Sequence, residues 1–223
     1  MATNVAVLPH HFEDRRQQLE ASTLAMWVFL GTEVLFFGTM FTAYTVYRSE
    51  FPEEFSRASK HLKTMAGAIN TAVLICSSLT MALAVFAAHT SRRRLLIGCL
   101  IATLTFGAVF LSIKAWEWYA EYQESLVPGM RFDTAVWTRA DASGGPVDPH
   151  RVQIFFVFYF VLTGLHALHM IVGLALLLLL LYFSIRGHYS AEYYVPIEVT
   201  GLYWHFVDIV WIFILPLLYL VRN

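Results

Sequence analysis

Five long apolar runs, separated by polar segments, form the main pattern of this chain. They extend over residues 24–47, 65–89, 95–119, 152–184 and 198–221. A helix needs about 20 apolar residues to cross a hydrocarbon core, and each run is long enough to do so. The fourth run exceeds this length, so it either tilts or projects beyond the bilayer. The pattern predicts an all-α, polytopic membrane protein in which five transmembrane helices form a bundle in one domain, residues 1–223.

The polar segments add little further structure to this prediction. The longest, residues 120–151, contains Pro128, Gly129 and the sequence SGGPVDP at 143–149. Turn-forming residues at this density predict a loop on the membrane surface. Residues 1–20 contain no apolar stretch and no small-residue cleavage site of a signal peptide. They are expected to form a polar lead-in to the first helix.

Composition agrees with a membrane protein. Hydrophobic residues make up 58% of the chain and charged residues only 14%, and the mean hydropathy is +0.59. A net charge of −1 gives no support for nucleic-acid binding. The basic turn at 92–94 predicts a cytoplasmic position, which places the N-terminus in the cytoplasm and the C-terminus outside. The Lys and Arg residues of the other segments do not decide the orientation.

Ionisable side chains inside the apolar runs are the candidate functional residues, because each costs roughly 2.5 to 3.5 kcal/mol near mid-bilayer. His205 and Asp208 lie three residues apart in the last run and share a helical face. They are either a buried hydrogen-bonded pair that joins two helices, or a proton relay or ligand. Trp204, beside them, is interpreted as a packing residue.

Two other runs also carry ionisable groups. Glu33 has no charged residue within a turn on its own helix, so it needs a partner from elsewhere. It is either a neutral carboxyl bonded to a neighbouring helix or a lipid headgroup, or a proton-handling group. Lys114 and Glu117 are three residues apart near the end of the third run. They predict an interfacial ion pair in which the Lys114 side chain extends towards the headgroups.

His166 and His169 raise the possibility of a metal or haem site, because imidazoles three residues apart can face one ligand. The sequence nearby supplies no third ligand, and Gly164 and Gly173 favour close helix packing instead. The chain also lacks a phosphate-binding glycine loop, a GxSxG elbow, an HExxH motif and a CxxCH haem attachment. We therefore expect no metal site and no catalytic residue on this chain.

Five segments, in order along the chain, resemble the cytochrome c oxidase subunit III family of the haem-copper terminal oxidases. They are TEVLFFG at 32–38, NTAVLICSS at 70–78, WEWYAEY at 116–122, TGLHALHMIVG at 163–173, and Glu198 followed by YWHFVDIVW at 203–211. Many members of that family have seven helices. The chain is similar to the short five-helix branch, which lacks the first two.

The resemblance implies an accessory subunit of a respiratory complex that reduces oxygen. Such a subunit packs on catalytic subunit I, binds phospholipid and supports proton uptake and stability during turnover. Haem and copper are expected on partner subunits, and subunit II and further oxidase subunits are expected partners in a bacterial plasma membrane. Glu33 matches the family's intramembrane carboxylate. The polar positions that line the helix bundle and its lipid-filled cleft match His166, His169, Glu198, His205 and Asp208.

Other functions stay open at this point. A quinol oxidase subunit, or a nitric oxide reductase-associated protein of the same family, shares these features, so the electron donor and the substrate of the complex are not fixed. A stand-alone transporter is the alternative from another class. It would need paired halves with interrupted helices, and the sequence shows no internal repeat.

Overall fold

A computed structural model describes residues 15–139, 145–191 and 193–220. Within these ranges the chain forms six helices and one short hairpin. The helices are α1 (Arg15–Glu50), α2 (Pro52–Lys60), α3 (Thr64–His89), α4 (Arg93–Gln123), α5 (Pro149–Arg186) and α6 (Val195–Tyr219), and the strands are β1 (Leu126–Val127) and β2 (Arg131–Phe132). All the helices except α2 are long and apolar enough to cross a membrane. The prediction of an all-α membrane protein with five spanning helices is confirmed.

Most of the membrane helices are longer than the apolar runs that predicted them. α5 contains 38 residues, which is about 57 Å of helix at 1.5 Å per residue. α4 continues to Gln123 and α6 begins at Val195. Polar side chains can continue a helix because the backbone hydrogen bonds do not depend on them, so hydropathy alone underestimates helix length. Only α6 ends earlier than predicted, at Tyr219.

The short helix α2 was not predicted. Pro52 lies in its first turn together with Glu53 and Glu54, and basic residues occupy its last turn. This arrangement suits a helix, because proline is tolerated at the first helical position and the charges complement the helix dipole. Phe55 and Ala58 are fully buried. Its polar residues Glu54, Ser56, Arg57 and Ser59 are buried as well, so burial extends around the helix.

The predicted surface loop at 120–151 contains more structure than its turn-forming residues suggested. Its first residues continue α4, and a hairpin pairs Leu126 with Phe132. Gly129 has a φ of 74°, a left-handed conformation that glycine adopts without steric cost. Trp137 is fully buried and its ring is 6.3 Å from that of Phe132. Residues 140–144 lie outside the described part of the chain.

The contacts of the chain divide it into two compact units. Unit 1 comprises Met1–Val34, Val73–Val109 and His169–Asp208. Its core contains Trp204, which is fully buried and donates an indole hydrogen bond to the Ser77 hydroxyl at 3.0 Å. A Cβ on Gly107 or Gly173 would lie 2.9 or 2.8 Å from the indole ring. Both positions therefore need glycine for the indole to fit.

Unit 2 comprises Leu35–Ala72, Phe110–Leu168 and Ile209–Asn223. Aromatic rings fill its core: Phe55 lies 5.5 Å from Tyr44 and 5.4 Å from Phe155, measured between ring centroids. The Tyr44 hydroxyl donates to the Leu217 carbonyl of α6. The assignment of the whole chain to one domain stays a prediction.

Candidate functional site

Glu33 lies on α1 and finds a partner on another helix. Its Oε2 is 3.2 Å from Nε2 of His169 on α5, and the two side chains are 18% and 17% exposed. The Tyr203 hydroxyl of α6 donates to the His169 carbonyl at 3.0 Å. We call Glu33, His169 and Tyr203 the Glu33 site. Three helices of unit 1 thus contribute to a polar site that is partly open to its surroundings.

His205 and Asp208 do not bond to each other, so the expected direct pair is not formed. Nδ1 of His205 lies 2.7 Å from the Ser78 hydroxyl on α3, which provides a partner closer than the carboxylate of its own helix. Asp208 is only 4% exposed, and the same Ser78 hydroxyl also interacts with its carboxyl group, although within the described ranges neither carboxylate oxygen meets strict hydrogen-bond geometry. The two residues share a helical face and are linked through Ser78 instead of directly.

The other predicted positions make separate contacts. His166 is 1% exposed and its ring lies 5.3 Å from Phe110 and 5.2 Å from Trp211. Glu198, in the first turn of α6, is 3.7 Å from His89 at the end of α3. These contacts and the packing of Trp204 between glycines join helices within each unit. They do not converge on one centre.

Unit 2 contains a buried polar group that we call the Lys114 cluster. It consists of Lys114, Glu117 and Glu121 on α4, Tyr159 on α5 and Tyr219 on α6. The Lys114 ammonium donates to Glu117 Oε2 at 3.0 Å, to the Tyr159 hydroxyl at 2.9 Å and to the Tyr219 hydroxyl at 2.6 Å. The Tyr219 hydroxyl donates to Glu117 Oε1 at 2.7 Å. An ammonium has three donors, and all three are used here.

The position of this ion pair differs from the prediction. Lys114 is 1% exposed and Glu117 is fully buried, whereas the sequence predicted a lysine that extends towards the headgroups. The physical reason is that α5 and α6 supply two hydroxyl acceptors, and the Trp211 ring lies 5.5 Å from the ammonium. The charge is thus solvated by protein instead of by the interface.

The sequence prediction missed three members of the cluster, which are Glu121, Tyr159 and Tyr219. A signal was present: Lys114, Glu117 and Glu121 follow the i, i+3, i+7 spacing of one helical face. Tyrosine hydroxyls within apolar runs also need hydrogen-bond partners. The pairing of α4 with two particular tyrosines on other helices depends on the tertiary fold, which a single sequence does not show.

An apolar groove lies in unit 1 between the end of α5 and the start of α6. Its volume is about 340 Å³; Leu176, Leu180 and Phe183 line its apolar wall, and His188 and Tyr189 contribute polar groups. Burial, together with the nearby Tyr193, raises the pKa of Tyr189 to about 12. The groove offers an apolar wall next to hydrogen-bonding groups.

Comparison with known proteins identifies relatives over most of the chain. Residues 151–222 match the family model described as cytochrome c oxidase subunit III. A cytochrome c oxidase subunit 3 of Thermostichus vulcanus is 30% identical over 201 residues, which are 90% of this chain and 87% of that protein. The Synechocystis sp. protein of the same name is 31% identical over 86% of this chain and 72% of its own length.

A third relative is a longer protein. The heme-copper oxidase subunit I+III of Aeropyrum pernix is 30% identical over 88% of this chain, which spans only 22% of that protein. The other two matches cover nearly the whole of this chain and most of each relative, and the five spanning helices agree with them. The chain belongs to the cytochrome c oxidase subunit III family.

Proposed function

We propose that this chain is the accessory subunit III of a respiratory haem-copper terminal oxidase of the cytochrome c oxidase type. The observation that carries this proposal is the match to relatives named cytochrome c oxidase subunit 3 over most of their length. In this role the chain stabilises a complex that transfers electrons from cytochrome c to oxygen. It also supports proton uptake over many turnovers.

Association with a catalytic subunit I is part of the proposal. It is supported by the Aeropyrum pernix relative, whose name joins subunits I and III in one protein. A fused arrangement requires the two parts to lie in the same membrane and close to each other. We propose that this chain likewise lies next to subunit I, as a separate chain. Subunit II and further subunits complete the complex.

We assign haem and copper to the partner subunits. Among the described residues, no group of three or more His, Cys, Asp or Glu side chains could hold a metal ion. The two candidate histidines are engaged elsewhere, His169 with Glu33 and His166 with aromatic rings. The engagement of both histidines within the chain supports the assignment of haem and copper to partner subunits.

Phospholipid binding is supported by the groove between α5 and α6. An acyl chain suits its apolar wall, and the hydroxyl and imidazole groups next to it suit an ester or headgroup. Replacement of Leu176 by Trp should fill the groove and lower the phospholipid content of the purified complex. Leu178→Trp is a matched control, because Leu178 is 57% exposed and is not among the residues that line the groove. Equal lipid content in both variants would contradict this part of the proposal.

We propose a cytoplasmic N-terminus, an external C-terminus and a bacterial plasma membrane. The turn between α3 and α4 carries Arg92, Arg93 and Arg94, and Ser91 accepts a hydrogen bond from the Ala191 backbone in the α5–α6 connection at 2.8 Å. Both connections therefore share one side, and positively charged loops favour the cytoplasm. A reporter active only outside the membrane should work at the C-terminus and fail in either of these connections.

Purification of the tagged chain from its native membrane in mild detergent tests the function. We expect a-type haem and copper to co-purify, with subunit I identified by mass spectrometry and oxygen uptake from reduced cytochrome c. Co-purification with a b-type complex that oxidises quinol or consumes nitric oxide would assign the chain to that sister complex instead of to a cytochrome c oxidase. A haem-free chain without partners would contradict the proposal altogether.

A further inference from the structure

The Lys114 cluster has an unequal number of acidic and basic groups. It contains one ammonium, Lys114, and two carboxyls, Glu117 and Glu121, which are 1%, 0% and 2% exposed. The groups that reach it from α5 and α6, Tyr159 and Tyr219, are neutral phenols. If both carboxyls were ionised, the cluster would hold one uncompensated negative charge away from water, which is strongly unfavourable.

Glu121 is the carboxyl left without a direct ionic partner. Lys114 and Tyr219 bond to Glu117. Glu121 interacts with the Lys114 charge only at a distance and lies next to the Tyr159 hydroxyl, and within the described ranges neither of its oxygens meets strict hydrogen-bond geometry. An ionised carboxylate is only an acceptor, but a protonated one also donates. The neighbouring Tyr159 hydroxyl, which already accepts a hydrogen bond from Lys114, offers a partner for a protonated Glu121.

A route to water lies three residues further along the chain. Glu124 follows the last turn of α4, and its side chain is 48% exposed. It acts electrostatically on Glu121, and its carboxylate lies 3.9 Å from the Lys63 ammonium. Residues spaced i and i+3 on a helix have Cβ atoms about 5–6 Å apart, and the Glu124 backbone N–H donates to the Ala120 carbonyl at 3.0 Å, so the helical spacing extends to Glu124. The buried cluster is thus adjacent to a carboxylate at the surface.

We propose that the Lys114 cluster is a proton-binding site, in which Glu117 and Glu121 hold one proton that exchanges with water through Glu124. The proton makes the cluster neutral, with one ammonium, one carboxylate and one carboxylic acid. The site stores a proton without any metal or cofactor. It stands apart from the proposed oxidase role, because it concerns the protonation of this chain by itself.

Infrared spectroscopy of the purified full-length chain tests the site. Labelling with ¹³C-carboxyl glutamate separates protonated glutamates from Asp208, and transfer to D₂O identifies those that exchange. We expect an exchangeable Glu carbonyl band that is lost in both Glu121→Gln and Glu117→Gln, since each leaves one carboxylate for one ammonium. Lys114→Met should double the band, because both carboxyls then take a proton.

Glu33→Gln is the matched control, since it removes an intramembrane glutamate outside the cluster and should leave the cluster band unchanged. Circular dichroism establishes which variants fold. Because Glu117→Gln and Glu121→Gln change the charge count equally, either one alone carries the test. The absence of an exchangeable Glu band in the wild type, or a band that keeps its full intensity after both substitutions, would overturn the proposal. Neither result bears on whether the chain co-purifies with an oxidase.

Discussion

The Glu33 site and the Lys114 cluster both place ionisable side chains in membrane helices, but they satisfy them differently. Among the described residues, Glu33 lies 3.2 Å from His169, and both side chains are partly exposed. The Lys114 ammonium has three hydrogen bonds and is almost completely buried. A partly open site can meet lipid, water or a partner subunit, whereas a closed one acts on folding and on its own protons.

This difference suggests separate roles for the two regions. Removal of a group from the closed cluster leaves its buried neighbours without partners, and the chain loses stability. Removal of a group from the open site leaves neighbours that water or lipid can still solvate, so the effect should fall on function. The following substitutions test this distinction, beginning with the largest expected effect.

Lys114→Ala should have the largest effect on stability. It removes three hydrogen bonds and one member of a buried ion pair, a change that typically costs about 3–5 kcal/mol. The measurement is the free energy of unfolding in detergent. Lys63→Ala is the control, because Lys63 and Glu124 form a partly exposed pair at 3.9 Å that should contribute at most about 1 kcal/mol. Equal losses in the two variants would show that the cluster does not stabilise the fold.

Tyr219→Phe should come next. The Tyr219 hydroxyl accepts from Lys114 and donates to Glu117, so its removal leaves a buried donor and a buried acceptor with fewer partners, at a cost of about 1–3 kcal/mol. Thermal unfolding measures the loss. Tyr119→Phe provides the comparison, since Tyr119 is 63% exposed and should tolerate the change. A Tyr219→Phe variant as stable as the wild type would indicate that the Tyr219 side chain only fills space in the cluster.

His205 should be coupled to Ser78 and not to Asp208. A double-mutant cycle of His205→Ala and Ser78→Ala should give a coupling energy of about 1 kcal/mol, because their side chains lie 2.7 Å apart. A double-mutant cycle of His205→Ala and Asp208→Ala should be closer to additive. A larger coupling to Asp208 would restore the direct pair predicted from the sequence.

Glu33→Ala should have the smallest effect on stability, at most about 1 kcal/mol, because it removes one hydrogen bond from a partly exposed site. Assembly into the complex should be intact, and size-exclusion chromatography together with thermal unfolding measures both properties. A loss of stability comparable to that of Lys114→Ala would remove the distinction between the open site and the closed cluster.

The sequence predicted the fold well because membrane helices depend on one dominant property. Twenty apolar residues are sufficient to predict a spanning helix, and all five runs became helices. The short helix α2 was missed because it has few apolar residues, Phe55 and Ala58 among them, and because tertiary packing also buries its polar residues. The hairpin around Gly129 was missed because turn-forming residues predict where the chain turns, not whether the flanking residues pair.

The polar residues were found more easily than their partners. Glu33, Lys114 and His205 are conspicuous in apolar runs, and the spacing of Lys114 and Glu117 predicts a local pair. The contacts of Glu33 with His169, and of His205 with Ser78, join residues more than 100 positions apart. Such partners depend on how the helices pack, and helix periodicity contains no information on that packing.

We propose that this chain supports the turnover of an oxidase and does not itself catalyse the reaction. The most direct test is oxygen uptake by the oxidase purified from a strain that lacks the chain, followed until activity stops. We predict an initial rate per haem close to that of the wild type and far fewer turnovers before inactivation, restored by the wild-type chain but not by Glu33→Ala. Unchanged endurance in the absence of the chain would contradict the account.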